Sequence, residues 1–180
     1  MRKAFDVRRL DVRAFAEEGA RLEGRDALSA HSRLVAETQG GAPDAMITWS
    51  ARGELRNPGH VKPEIWLHLS AHAALSLVCQ RCLTAVDVPM VVDRSFRFVS
   101  DERTAAAEDD QSEEDLLALS TDFNVMELIE DELLMELPVA PRHAVCPVPV
   151  TMTVVDPDFE QQAEPAENPF ALLRKLTTRP

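Results

Sequence analysis

Two long runs of alternating residues, separated by a Cys-x-x-Cys turn, limit the folding of this chain more than any other feature. In the first, Ile65, Leu67, Leu69, Ala71, Ala73, Leu75 and Leu77 recur at every second position, against Trp66, His68, Ser70, His72, Ala74 and Ser76. In the second, Val86, Val88, Met90 and Val92 alternate with Asp87, Pro89, Val91 and Asp93, and Phe96 and Phe98 keep the even register. A period of two belongs to a strand with one buried face. The spacing therefore predicts two antiparallel strands joined at Cys79-Gln80-Arg81-Cys82-Leu83. The odd-numbered face runs on to Cys79, so both cysteines fall at a sheet end.

Cys146 is the only other cysteine, three residues after His143. If the two halves meet in the fold, Cys79, Cys82, His143 and Cys146 supply three thiolates and one imidazole, a donor set that suits tetrahedral zinc. A thiol redox pair and buried structural cysteines are the other readings of the same residues. Three cysteines cannot all pair, and the N-terminal Phe5 is followed by Asp6 and Arg8-Arg9 before any apolar signal core forms. A reducing cytoplasm is the expected compartment. The longest apolar stretch, Ala73 to Cys79, is far short of the ~20 residues of a membrane-spanning helix. His68 and His72 share a strand face at roughly 13 Å, too far apart for one metal ion, and read as surface histidines.

Elsewhere the local signals are those of helices and turns. Phe5 to Leu10 reads as a short strand or arm. Asp11 is an N-cap for a helix that buries Val12, Phe15 and Ala16 and stops at Gly19. After the breaker Gln39-Gly40-Gly41-Ala42-Pro43, Met46 to Ser50 alternates, and Asn57-Pro58-Gly59 marks a turn. Asn124 caps a helix running to Leu137, with Glu127 placed to complete a capping box. Met126, Ile129, Leu133 and Leu137 form its core side, Leu128 and Met135 a second apolar pair, and Glu127, Glu130 and Asp131 lie opposite the core, with Glu132 and Glu136 between the stripes. Leu137-Pro138-Val139-Ala140-Pro141-Arg142 then leads, extended, to His143. Near the end Asn168 and Pro169 open a short helix with Phe170, Leu173 and Leu176 on one side. The expected class is α+β: an antiparallel sheet or partly open barrel with a few packed helices and a flexible acidic insertion. Residues 1–44 are expected to form an arm and helix, 45–150 the β-rich core with knuckle, acidic loop and helix, and 151–180 a flexible tail with a short helix.

The net charge of −12 is unevenly placed. Residues 101–136 hold fourteen acids and one base, Arg103, whereas the remainder holds eighteen bases and seventeen acids. Such a segment repels phosphate backbones and attracts basic partners. Residues 101–115 show neither turn chemistry nor apolar periodicity and read as a long flexible connection.

Four pieces occur in order: Cys79-Gln80-Arg81-Cys82-Leu83, then Glu127-Leu128-Ile129-Glu130-Asp131-Glu132-Leu133-Leu134, then Leu137-Pro138-Val139-Ala140-Pro141-Arg142-His143 with Cys146, and last Asn168-Pro169-Phe170-Ala171-Leu172-Leu173. This combination resembles the YceD family, bacterial and plastid proteins named for accumulation of large-subunit ribosomal RNA. The resemblance runs from about Ala45 onward. It implies a role in making or retaining the large ribosomal subunit and its 23S ribosomal RNA.

The expected function is thus a non-enzymatic factor for large-subunit biogenesis. An acidic surface that includes Glu127, Glu130, Asp131, Glu132 and Glu136 would engage a basic ribosomal protein or an assembling particle, with zinc as the candidate cofactor. One alternative is direct contact with ribosomal RNA through the basic N-terminal region and Arg174, Lys175 and Arg179. The other is thiol redox chemistry at Cys79 and Cys82, although no thioredoxin-like βαβ frame surrounds them. All six glycines precede residue 60, and no phosphate-binding loop, His-Glu-x-x-His or Gly-x-Ser-x-Gly occurs, so no catalytic residue and no small-molecule substrate is named.

Overall fold

The alternation in residues 65–98 becomes the longest feature of the computed structural model, which describes residues 4–39 and 45–149. Strands β3 (Glu64–Val78) and β4 (Ala85–Val99), each of 15 residues, pair antiparallel from Ile65↔Phe98 to Val78↔Ala85. The knuckle is their connection, as the spacing predicted. β2 (Met46–Arg56) pairs antiparallel with β3, and β1 (Arg21–Ala27) with β2. A fifth strand, β5 (Asp115–Ala118), completes the order β1-β2-β3-β4-β5.

The sheet is open and mixed rather than wholly antiparallel, because β5 runs parallel to β4. Parallel neighbours need a crossover, and the acidic segment supplies it. Asp101 accepts a hydrogen bond from the Thr104 amide at 2.8 Å and caps α3 (Glu102–Glu108). The buried Ala105 anchors that helix, and a 3-10 turn over Asp109–Gln111 returns the chain towards β5. Where a flexible connection was expected, this segment forms a β-α-β crossover. Arg97 pairs with Glu108 and Glu114, both at 3.2 Å, tying the acids to β4. β5 reaches only Phe96–Val99 of β4, so Ala85–Ser95 has no strand on that side among the described residues.

One face of the sheet carries the core. Ile47, Trp49 and Ala51 of β2, Leu67, Leu69 and Leu75 of β3, and Val92, Phe96 and Phe98 of β4 point towards a single layer of helices. Helix α1 (Val12–Glu17), capped by Asp11, packs over β2 and β3 with Val12 and Phe15 fully buried. Gly53 permits that approach, since a Cβ there would lie 2.8 Å from the Phe15 carbonyl carbon. Helix α4 (Val125–Met135) covers β3 and β4. The Asn124 side chain accepts from the amides of Met126 and Glu127, which satisfies the first turn. Met126, Ile129 and Leu133 are buried and Leu137 is half-buried, as expected. The second apolar pair divides instead: Leu128 is buried and Met135 is 70% exposed.

The N-terminal arm is drawn in by two hydrogen bonds between Leu10 and Phe123, at 2.8 and 3.0 Å, and by Val125 N–H to the Val7 carbonyl. A short helix, α2 (Ser32–Glu37), packs against α4. The opposite face of the sheet is polar. Trp66 is nevertheless buried there, beneath the Arg56 guanidinium 4.1 Å above its ring and beside the stacked His68 imidazole. His68 also meets Ser95 at 2.8 Å and Glu54 at 2.6 Å, so it is held within a polar cluster, while His72 is exposed. The residues up to Pro147 form one compact unit. The short helix read at Asn168 to Leu176, and the basic residues Arg174, Lys175 and Arg179, lie outside the described residues.

Candidate metal centre

The turn between β3 and β4 folds back on itself. Cys79 N–H donates to the Thr84 carbonyl and Leu83 N–H to the Cys79 carbonyl, both at 2.9 Å. Leu83 adopts a left-handed conformation, φ 59°, which leaves its side chain 70% exposed. The tightness of this turn directs both thiols to the same side. A second segment then crosses the turn: Gln80 N–H donates to the Pro141 carbonyl at 2.8 Å, and Arg81 donates through Nη2 to the His143 carbonyl at 2.9 Å. Pro138 and Pro141 fix the extended path that brings His143 and Cys146 across.

The ligand atoms of Cys79, Cys82, His143 and Cys146 all lie within 4.8 Å of one another. Cys79 is fully buried and the other three are half-buried. A tetrahedral zinc ion with bonds of ~2.3 Å to sulfur and ~2.0 Å to nitrogen sets sulfur and nitrogen about 3.5 Å apart. Cys82 Sγ and His143 Nδ1 stand 3.4 Å apart. Three cysteines and one histidine, free of disulfides, thus fit zinc in number, type and spacing.

The electrostatics fit as well. Burial pushes the Cys79 thiol up, but the amides of Cys82, His143 and Arg81, together with the His143 imidazole, outweigh it and bring its pKa down to about 5. Hydrogen bonds from the Thr84 hydroxyl and amide lower Cys82. His143 is raised, chiefly by its hydrogen bond to Cys79. Burial raises Cys146, against the Arg81 guanidinium, which donates from Nε to its sulfur at 3.0 Å. A positive charge is therefore favoured among these sulfurs, and a divalent cation would supply one in place of the imidazolium proton.

The acidic residues singled out on α4 divide into two groups. Glu127, Asp131 and Glu136 are exposed, with Asp131 held to Arg33. Glu130 and Glu132 are buried. Glu130 reaches from α4 to the first turn of α2 and accepts from the amides of Arg33 at 2.8 Å and Leu34 at 3.3 Å. It is a cap supplied from another helix. Glu132 lies 3.5 Å from Arg94. Sequence reasoning also passed over Arg81 and Thr84. Their position inside and just after the Cys-x-x-Cys turn was the available signal.

An open α+β sheet with a Cys3His cluster at a hairpin tip and an acidic crossover defines the class. The model of the YceD family, described as the large ribosomal RNA subunit accumulation protein YceD, matches residues 67–177, and the chain belongs to that family. The match begins within β3 and takes in the knuckle, the acidic crossover, α4 and the His143–Cys146 segment. Neither the curated proteins nor the solved structures gave a match.

Proposed function

We propose that this protein is a non-enzymatic cytoplasmic factor that supports accumulation of large-subunit ribosomal RNA. It does so by binding a basic ribosomal protein, or a basic part of an assembling large subunit, through its acidic surface. Family membership supplies the process. The observation that carries the mode of action is the concentration of acid in residues 101–136 together with its presentation. Glu102, Asp109, Asp110 and Glu113 are exposed on the crossover, and Glu127, Asp131 and Glu136 on α4. Glu130 and Glu132 serve the fold and are not part of this surface. Zinc held by Cys79, Cys82, His143 and Cys146 acts as a structural tie.

A second reading has its own support. The register places Arg21 beside Arg52, with Arg25 on the same polar face of the sheet, and all three are exposed. That face would contact ribosomal RNA directly.

One experiment separates the two readings. Asp109→Asn, Asp110→Asn and Glu113→Gln together should reduce capture of purified large-subunit ribosomal proteins and lower 23S ribosomal RNA in cells. Unchanged capture and RNA level in this triple variant would reject the acidic surface. Retention of protein-free large-subunit RNA, steeply lost with salt and abolished by Arg25→Glu with Arg52→Glu, would favour the second reading.

A further inference from the structure

Arg81 lies between the two knuckle cysteines, yet its side chain serves the other half of the cluster. Nε donates to Cys146 Sγ at 3.0 Å, and Nη2 donates to the carbonyl of His143 at 2.9 Å and of Ala144 at 3.5 Å. One guanidinium thereby spans the strap that carries both distal ligands. Other side-chain links cross the same junction: His143 Nδ1 stands 3.4 Å from Cys82 Sγ, and the imidazole also hydrogen-bonds Cys79. The backbone adds a bond from Gln80 N–H to the Pro141 carbonyl.

Charge gives this arrangement a second effect. A zinc ion bound by three thiolates and a neutral imidazole carries one net negative charge. The guanidinium against Cys146 Sγ neutralises it, in a partly enclosed site where an uncompensated charge is costly. An N–H donor on a bound thiolate also draws electron density from the sulfur. That makes the sulfur a weaker nucleophile and a slower target for electrophiles.

We propose that Arg81 is the positioning residue of the metal centre: it pre-aligns His143 and Cys146, balances the charge of the loaded site and shields Cys146 from electrophiles. The proposal rests on the zinc reading, and its test keeps the two apart. Wild-type, Arg81→Gln and Arg81→Lys chains are loaded with zinc, and affinity is measured by competition with a chromophoric chelator. The cobalt-substituted forms are compared by absorption, and alkylation of Cys146 by iodoacetamide is followed by mass spectrometry.

Arg81→Gln should bind zinc about 10- to 100-fold more weakly. Its thiolate-to-cobalt absorption should shift, and Cys146 should be alkylated faster in the zinc-loaded chain. Arg81→Lys keeps the charge but loses the planar fork, so its affinity should also fall. If Arg81→Gln does not fold, Arg81→Lys decides by the same readouts. Wild-type zinc binding with unchanged affinity, spectrum and alkylation in the folded variants would overturn the role of Arg81. A wild-type chain that takes up no zinc would remove both the zinc reading and this one.

Discussion

Glu130 and Glu132 stand two residues apart in α4, and both are buried, yet their environments act on them in opposite directions. Burial alone would raise Glu130, but the amides of Arg33 and Leu34 and the Arg33 guanidinium outweigh it and hold its carboxyl below the usual range. Burial raises Glu132, Arg94 opposes that only in part, and Asp115, Asp131 and Glu136 add to it. The signs follow. Glu130 contributes stability that is present above its unfolded value near 4.5 and is lost as pH falls through its depressed folded value. Glu132 is costly as a carboxylate, and that cost is relieved on acidification. Glu130→Gln should therefore destabilise the protein by about 2 kcal/mol at neutral pH, the scale of charged hydrogen bonds lost from a buried site. Glu132→Gln should be neutral or stabilising. Urea midpoints at pH 7 and pH 4 check both signs. Neither role was legible in the helical pattern, which shows Glu130 on the side away from the core. The groups that claim it, the first turn of α2, lie 96 and 97 residues earlier in the chain.

Elements were legible in proportion to how regularly they bury one face. β3 and β4 have fourteen paired positions and near-continuous alternation, so their extent and their joining turn could be read directly. α4 was legible because Asn124 and the buried stripe agree with each other. β1 was missed because it is a sheet edge: Arg21, Glu23 and Arg25 fill its exposed positions, and Leu22 is its only large apolar residue. β5 was missed because four residues are too few to establish a period, and its parallel pairing depends on α3. The capping Asp101 and the following Ala105-Ala106-Ala107 were the local signs of that helix, obscured by the surrounding acids. α1 lies close against β2, with the Phe15 backbone over Gly53. Gly53→Ala would force a methyl group into the Phe15 backbone and should cost about 1 to 3 kcal/mol. A thermal melt would show the loss, while an alanine at Gly59, where the added carbon would meet nothing within 4 Å, should leave the melt unchanged.

On the scale of the whole molecule, the candidate centre joins parts of the chain that are some sixty residues apart, with the acidic crossover and α4 between them. Sequence spacing could nominate the two halves, and their meeting followed from the prolines and from Arg81. If zinc occupies the centre, it stabilises only the folded chain, by about 4 kcal/mol when free metal exceeds its dissociation constant a thousandfold. A strong chelator should then lower the melting temperature of the wild-type protein and leave that of Cys79→Ser unaffected. Equal response of the two chains would argue against a bound metal as the source of stability.

The side of β4 that no described strand covers raises a different matter, that of solubility. Among the described residues no strand pairs with Ala85–Ser95 on this side, and such an edge is a template on which a second chain can add a strand. Pro89 sits in the middle of this stretch, opposite Ala74 of β3. A residue with no N–H is tolerated in a strand only where its nitrogen faces the open side. There it removes one of the donors an incoming strand would need, and its ring obstructs close approach. Asp87 and Asp93, two and four residues away, add negative charge to the same exposed face. A hairpin of this length thus carries, among its described residues, its own guard against edge-to-edge self-association.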